Sequence, residues 1–363
     1  MPLPRIFYVP NEDGDFRQTG IRRPLADLQA AGLIGDVDVH SLQWRIRNGG
    51  DPESHRQELL RRVRDFRPDV LLLQHVGATG LSRAHCTRLR AAVDGTVVYH
   101  EADPYGRFRH RLPAAAREVG RVADVVFTVG SGRFRENFLR AGARDVRYAH
   151  HCFDPERFPR RRSDGSERRY DVVVVAHRNS PRIPLHGLPD WKNRIRFVTL
   201  LQERFAGRLG IYGRGWEGEG ALGPIDFSRQ DEAIRSGWVS ANWDHYASEP
   251  DYFSNRLPIS LAAGSIHATT RHVGYDALFD ERYRDRVLHE PTQERLLDAI
   301  DDLLARTGPE ERLHLIRDGQ ELAYGRFRQD DQLVRFLNAD RIRVDPGAAR
   351  RAWNVDRRLV DLL

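Results

Sequence analysis

Cysteine is nearly absent from this 363-residue chain: Cys86 and Cys152 are the only two, too few for a disulfide scaffold or a structural zinc site. Lysine is rarer still. Lys192 stands alone among 58 basic side chains, the rest being arginine, and Met1 is the only methionine. That usage fits a GC-rich genome of the actinobacterial kind better than selection for a binding surface. Long apolar runs are missing too. The longest, 70–73 and 172–176, are of strand length, far below the roughly 18 residues of a membrane helix. The opening residues 1–9 lack a signal-peptide apolar region and read as a first strand, so a reducing cytoplasm is the expected compartment. No zinc-finger spacing, RNA-recognition aromatic motif or basic zipper is found, and no nucleic-acid partner is expected. The net charge of +6 is small for 363 residues. Its real clusters, 160–162 and 168–169, flank Ser163-Asp164-Gly165-Ser166 and read as a solvated basic linker.

What is present is an alternation of strand and helix signals. Residues 6–9 read as a strand, 22–31 as a helix, 36–42 as a strand and 55–66 as an amphipathic helix stopping before Pro68. The run 70–74 is continuously apolar, as in a parallel strand buried on both faces. Helices at 82–93, 113–122 and 132–141 alternate with strands at 96–99, 125–129 and 146–148. After the linker the pattern restarts with a strand at 170–176 and a helix at 193–205. Strand 209–212 follows, then short stretches at 234–236 and 239–241, and a helix at 256–263. Strand 265–268, helices 293–306 and 310–324, and a last amphipathic helix at 348–363 complete it. The expected fold is α/β: two Rossmann-like, doubly wound domains facing a cleft. The expected domains are 1–152, a linker 153–169, 170–330, and C-terminal helices 331–363 returning toward the first domain.

The segments Phe66-Arg67-Pro68-Asp69-Val70-Leu71, Val98-Tyr99-His100-Glu101-Ala102-Asp103 and Ala123-Asp124-Val125-Val126-Phe127-Thr128 occur in order in the first half. In the second half come Tyr170-Asp171-Val172-Val173-Val174, Ile211-Tyr212-Gly213-Arg214-Gly215-Trp216 and Ser254-Asn255-Arg256-Leu257-Pro258, leading to Ala262-Ala263-Gly264. Together they resemble a GT-B glycosyltransferase of the spore-maturation type, a branch related to glycosyltransferase family 4. The resemblance spans nearly the whole chain. It implies transfer of a sugar from a nucleotide-diphosphate donor to a small-molecule or glycan acceptor, with no metal and no cofactor beyond the donor.

A departing diphosphate gains negative charge, which calls for cationic side chains and helix N–H groups. The resemblance places Arg178 and Lys192 on the diphosphate, Lys192 lying beyond a loop longer than the family pattern. Ser254 reads as the cap of a helix starting at Asn255 or Arg256, and Arg256 as a second cation. Gly213, Arg214, Gly215 and Trp216 follow a strand, where glycines let the backbone approach a donor. Family 4 enzymes also carry a pair of glutamates ahead of the helix glycine. Counting back from Gly264, the second falls on Ile259 and the first on Asp251, so the ribose-gripping glutamate is missing and Asp251 or Glu249 is the acid left to approach the sugar. His100, Glu101 and Asp103 are the catalytic candidates: His100 matches the family histidine at the donor sugar; Asp103 suits the general base of an inverting transfer, and His100 with Arg178 and Lys192 suits a retaining one, both readings standing open. Asn11, Asp13 and Asp15 in the loop after the first strand, and His75 at another strand end, are acceptor-side candidates. His150, His151 and Cys152 have no further ligands at metal spacing and read as a hinge. A sugar-nucleotide epimerase or hydrolase, or a non-catalytic binding module, are the alternative readings.

Overall fold

The computed structural model describes residues 2–12, 17–106, 110–181, 188–279 and 283–353. Among them, residues 2–150 with 329–353 make one compact unit and 151–328 a second.

In the first unit, β1 (Ile6–Val9), β2 (Val37–Val39), β3 (Val70–Gln74), β4 (Thr96–Glu101), β5 (Val125–Thr128) and β6 (Val146–Tyr148) form a parallel sheet in the order β2-β1-β3-β4-β5-β6. Side chains alternate across it. Phe7, Leu71, Leu73, Val97 and Tyr99 enter one core, while Ile6, Tyr8, Leu72, Val98 and Phe127 enter the other. The first core is covered by α3 (Pro52–Phe66), α4 (Arg83–Ala91) and α5 (Ala114–Val122), the second by α1 (Thr19–Ala30). Local signals set the boundaries. Asp51 caps α3 by accepting from Ser54 N at 2.8 Å, Pro52 occupies its first position, and Arg67 ends it in a left-handed conformation ahead of Pro68.

Two strand ends differ from the sequence expectation. The strand expected at 36–42 is an edge strand that stops at Val39, and Leu42–Arg47 is a short helix, α2, with Leu42 and Gln43 buried. β4 runs on to Glu101 because His100 pairs with Gln74 and Phe127, and Glu101 with Thr128. His100 and Glu101 are therefore strand residues, not loop residues. The next helix is α6 (Arg133–Arg140).

The second unit repeats the plan with β7 (Tyr170–Val175), β8 (Leu209–Tyr212), β9 (Ala221–Gly223), β10 (Gly237–Asn242), β11 (Ile266–Thr270) and β12 (Val287–Glu290), in the parallel order β12-β11-β10-β7-β8-β9. On one face lie α7 (Trp191–Arg204) and α11 (Gln293–Arg306), with Phe197, Leu201, Leu296 and Ile300 inside. On the other lie α8 (Gln230–Arg235), α9 (Arg256–Ala263) and α12 (Pro309–Arg326). A short helix, α10 (Tyr275–Leu278), precedes β12. The stretch 234–236 belongs to the end of α8 rather than to a strand: Asp231 and Glu232 occupy the first turn of that helix, where its dipole favours acids, and Ile234 is buried. Residues of 153–169 pack into this unit. Phe153 and Phe158 are core residues, and the Arg168 guanidinium reaches the carbonyls of Arg235, Gly237 and Gly264 at 2.6–2.7 Å.

The chain then returns to the first unit. Residues Gln329–Leu337 form α13 and Pro346–Ala352 form α14, both packed on α1. Leu333, Phe336, Leu337 and Trp353 complete the second core there. The helix expected at 348–363 thus starts at Pro346; 354–363 lie outside the described residues.

Candidate active site

In each unit the strand order reverses once, between β1 and β3 in the first and between β7 and β10 in the second. Adjoining loops diverge at such a point and leave a crevice at the carboxyl ends of the strands. In the second unit chemistry-bearing residues gather there; in the first they gather one strand over, at the ends of β3 and β4.

In the second unit, the loop after β7 and the loop after β8 are tied together. Arg178 N donates to Arg214 O at 3.0 Å, Arg214 N to His177 Nδ1 at 3.0 Å, and Trp216 Nε1 to Ala176 O at 2.6 Å. Gly213 makes this possible, since a Cβ there would sit 1.9 Å from Ala176 O. Gly215 has φ +83° and brings its backbone against Arg178, whose guanidinium lies 6.0 Å from the Trp216 ring. Arg178 and Arg214 are exposed. Burial, with Arg214 and Arg256 nearby, lowers the pKa of His177.

Beside this platform sits a buried polar cluster. Asp244, just past β10, is fully enclosed and accepts from His272 Nε2 at 2.8 Å, from Ser254 N at 3.3 Å and from the Asn242 amide. Burial raises its pKa, but the bond to His272 and the charges of His272 and Arg194 reverse that and hold it well below the carboxylate range. Arg194, 5% exposed, uses Nε on Trp243 O at 2.8 Å. Arg256 uses Nε on Val175 O at 3.2 Å and Nη1 on Ser254 Oγ at 3.4 Å. Burial, together with the neighbouring Arg256, lowers the pKa of Arg194 to about 9, and burial also lowers that of Arg256. Neither guanidinium has a carboxylate within ion-pair distance among the described residues. Asp244 is already committed elsewhere.

The remaining second-unit candidates take other places. Asn255 is the exposed first residue of the α9 turn and makes no side-chain cap; Ser254 Oγ instead accepts from Arg256 N at 3.3 Å. Asp251 lies in the left-handed region with φ +61°, and Ile259 is a core residue. Lys192 is exposed, its ammonium 5.7 Å from the Trp191 ring. Two residues along a helix is a rotation of about 200°, so Lys192 and Arg194 occupy opposite sides of α7. That phase was available in the run Asp190-Trp191-Lys192-Asn193-Arg194, but which side meets the sheet was not.

In the first unit, Glu101 at the end of β4 is fully buried. It meets His75 Nδ1 at 2.5 Å, accepts from the Tyr99 hydroxyl, and takes Asp103 N at 3.1 Å. His75 sits at the end of β3 with φ +46°, a conformation sterically costly for a residue with a Cβ. Its Nε2 lies 3.6 Å from Asp103 Oδ2, and the Asp103 side chain is half exposed. Burial raises the Asp103 pKa; His75 opposes that and Glu101 adds to it. His100 is 7% exposed, accepts at Nδ1 from Gln74 Nε2 at 3.1 Å, and its ring lies 4.7 Å from that of Phe336 of α13, tilted by 40°. Asn11 O accepts from Gln18 Nε2, and Asp13 and Asp15 lie outside the described residues. The His75–Glu101 link joins two residues 26 apart in sequence and is invisible without the strand register.

His150 and His151 diverge: His150 O accepts from Gln332 in the first unit, while the His151 ring meets Tyr252 in the second. Among the described residues no group of three or more His, Cys, Asp or Glu is placed to hold a metal ion, and no helix is long and apolar enough to cross a membrane.

No protein-family model and no curated protein matches the chain. Solved structures do. HepE of Anabaena, crystallised with UDP and glucose, superposes with a TM-score of 0.55 at 14% identity over 93% of this chain and 100% of that one. The sucrose-phosphate synthase of Thermosynechococcus elongatus gives 0.57 at 14% identity, covering 99% and 100%. The β-glucosyltransferase of phage T4, solved with its UDP-glucose substrate, gives 0.53 at 11% identity, covering 96% and 99%. The fold is GT-B, and at such low identity the likeness carries the fold alone.

Proposed function

We propose that the protein is a glycosyltransferase that takes a sugar from a nucleotide-diphosphate donor, with the second unit holding the diphosphate. The observation that carries this is the charge imbalance at the β7/β10 switch point: Arg194 and Arg256 lie side by side and share the field of one carboxylate, Asp244, which is bonded to His272 and to neither arginine. Two desolvated cations facing one shared carboxylate are costly, and an anionic ligand relieves that cost. The exposed Arg178 and Arg214 add charge at the rim. Several structural neighbours were solved with UDP or UDP-glucose, which makes a uridine donor the first to test. Of the cations on α7, the reading assigns Arg194 to the diphosphate and leaves Lys192 outside it.

In the first unit Asp103 acts as general base, and His75 and Glu101 position it. The acceptor hydroxyl gives its proton to the Asp103 carboxylate as its oxygen bonds to the sugar's anomeric carbon. The anomeric carbon–oxygen bond to the diphosphate breaks, and its electron pair leaves with the phosphate oxygen that the arginines stabilise. His100, locked between Gln74 and Phe336, is assigned to orienting the sugar.

Calorimetric titration with UDP tests the donor half. A charge-assisted bond contributes roughly 1.5–3 kcal/mol, so Arg194→Met and Arg256→Gln each weaken UDP by roughly 10- to 100-fold. Lys192→Ala stays within about three-fold, as an exposed charge should. Wild-type affinity in both arginine variants overturns the assignment. Release of free sugar from UDP-glucose without any acceptor would mark a hydrolase instead.

A further inference from the structure

On the other side of β1 from the His75 cluster, at the carboxyl ends of β1 and β2, lies a cavity of about 390 Å³ lined by Arg17, Arg22, Val39, Ser41, Trp44 and Arg45. One buried carboxylate organises it. Glu12, with no exposed surface, accepts from Gln18 N at 2.9 Å and Arg22 Nε at 2.6 Å through one oxygen. Through the other it accepts from Arg22 Nη2 at 2.8 Å, Arg17 Nη1 at 3.2 Å and Ser41 Oγ at 2.5 Å. Burial pushes its pKa up, yet the bonds from Arg22, Ser41 and Gln18 hold it at about 2, so it stays ionised.

Among the described residues Glu12 is the one carboxylate paired with Arg17 and Arg22, so it balances one guanidinium of the two. Arg45 gives Nη1 to Glu58 at 3.3 Å, and its other guanidinium nitrogens make no hydrogen bond among the described residues, so it too has donors to offer the cavity. Nη1 of Arg22 makes no hydrogen bond among the described residues. Val39 and Trp44 supply an apolar wall beside these donors. A concave site with surplus positive charge, fixed guanidinium donors and one aromatic wall suits an anion attached to a ring.

We propose that this cavity binds an anionic group of the acceptor, a carboxylate or a phosphate ester carried next to a flat or apolar ring. The inference rests on the glycosyltransferase reading only for the word acceptor; binding of the anion is independent of it. The same sheet edge carries Asp103 beyond β4. With strands about 4.8 Å apart, the β1/β2 end and the β4 end are separated by roughly 10–14 Å. The acceptor's acid and its reacting hydroxyl are accordingly about that far apart, the length of two linked rings.

Calorimetric titrations of the whole protein, with UDP at saturating concentration, use benzoate and phenyl phosphate as probes and benzyl alcohol as the neutral control. Benzoate or phenyl phosphate binds roughly ten-fold or more tighter than benzyl alcohol, and which of them wins separates a carboxylate from a phosphate acceptor. Arg17→Gln and Arg45→Gln each weaken the preferred probe by about five-fold and leave UDP affinity unchanged. Raising the salt weakens the anionic probes and not the alcohol. Thermal unfolding of both variants accompanies the titrations, and Arg45→Gln carries the test if Arg17→Gln melts early, because Arg45 does not touch Glu12. Equal affinity for benzyl alcohol, or unchanged probe affinity in Arg45→Gln, overturns the inference. If UDP fails to bind the wild-type protein, the donor assignment fails while the probe comparison still decides this one.

Discussion

Three atoms separate an acid that can take a proton from one that only steers it. Glu101 is sealed against Tyr99, His75 and the Asp103 backbone, so its carboxylate has no room for a substrate hydroxyl. Asp103, half exposed and with its pKa raised by burial, has that room. Asp103→Asn keeps the shape and removes the basicity, and general-base loss costs roughly 10²–10⁴ in turnover. Steady-state kinetics with UDP titration alongside checks it: kcat falls by about that factor while UDP affinity holds, and retained turnover rules Asp103 out. Glu101→Gln, acting through His75, shifts the pH dependence of kcat instead of abolishing it. The residue types at these positions were legible in the sequence, because a histidine and two acids at a strand end are unusual. Their division of labour was not, since it depends on which side chains the sheet buries. Arg194 makes the same point, distinguished from Lys192 only by the side of α7 that meets the sheet.

Elements were legible where punctuation bounded them. β3, β8, α9 and α11 fall where apolar periodicity and flanking Pro68, Gly213, Gly264 and Thr292 place them. β12 escaped notice because Val287-Leu288-His289-Glu290 is short and half polar, whereas α13 falls among the C-terminal helices expected from 331 and starts two residues earlier, at Gln329. Gly213 shows how one element depends on another. Its missing Cβ lets the loop after β8 lie on the end of β7, the floor of the platform that carries Arg178. Gly213→Ala forces that loop outward and destabilises the fold by about 1–3 kcal/mol. Denaturant unfolding reads the stability loss, and a parallel UDP titration reads weaker binding. A variant as stable as the parent, with parent affinity, contradicts the close-approach argument.

At the scale of the molecule, buried imidazoles set the acid limit. Burial, together with nearby arginines, lowers His40 and His245 to about 3, and burial lowers His267 to about 4. Both ring nitrogens of His267 lack hydrogen-bond partners among the described residues. Each folded-state pKa lies below the unfolded value near 6.5, so between pH 6.5 and about 4 the unfolded chain binds more protons than the folded one. Stability then falls as pH falls, by about 2 kcal/mol per imidazole at pH 5. Urea unfolding at pH 7.5, 6 and 5 measures it, and a flat profile across that range contradicts the neutral, buried state of these rings.

The second core of the first unit is finished by Leu333, Phe336, Leu337 and Trp353, which follow the whole of the second unit in the chain. During synthesis on the ribosome, the nascent sheet that carries Tyr8, Leu72 and Phe127 must wait, its greasy side covered only in part by α1, while 178 further residues emerge. The second unit has every strand it needs before that wait ends. The half made first is the half that closes last, and a translational stall just before residue 329 would leave it exposed to chaperones and proteases while its neighbour is already folded.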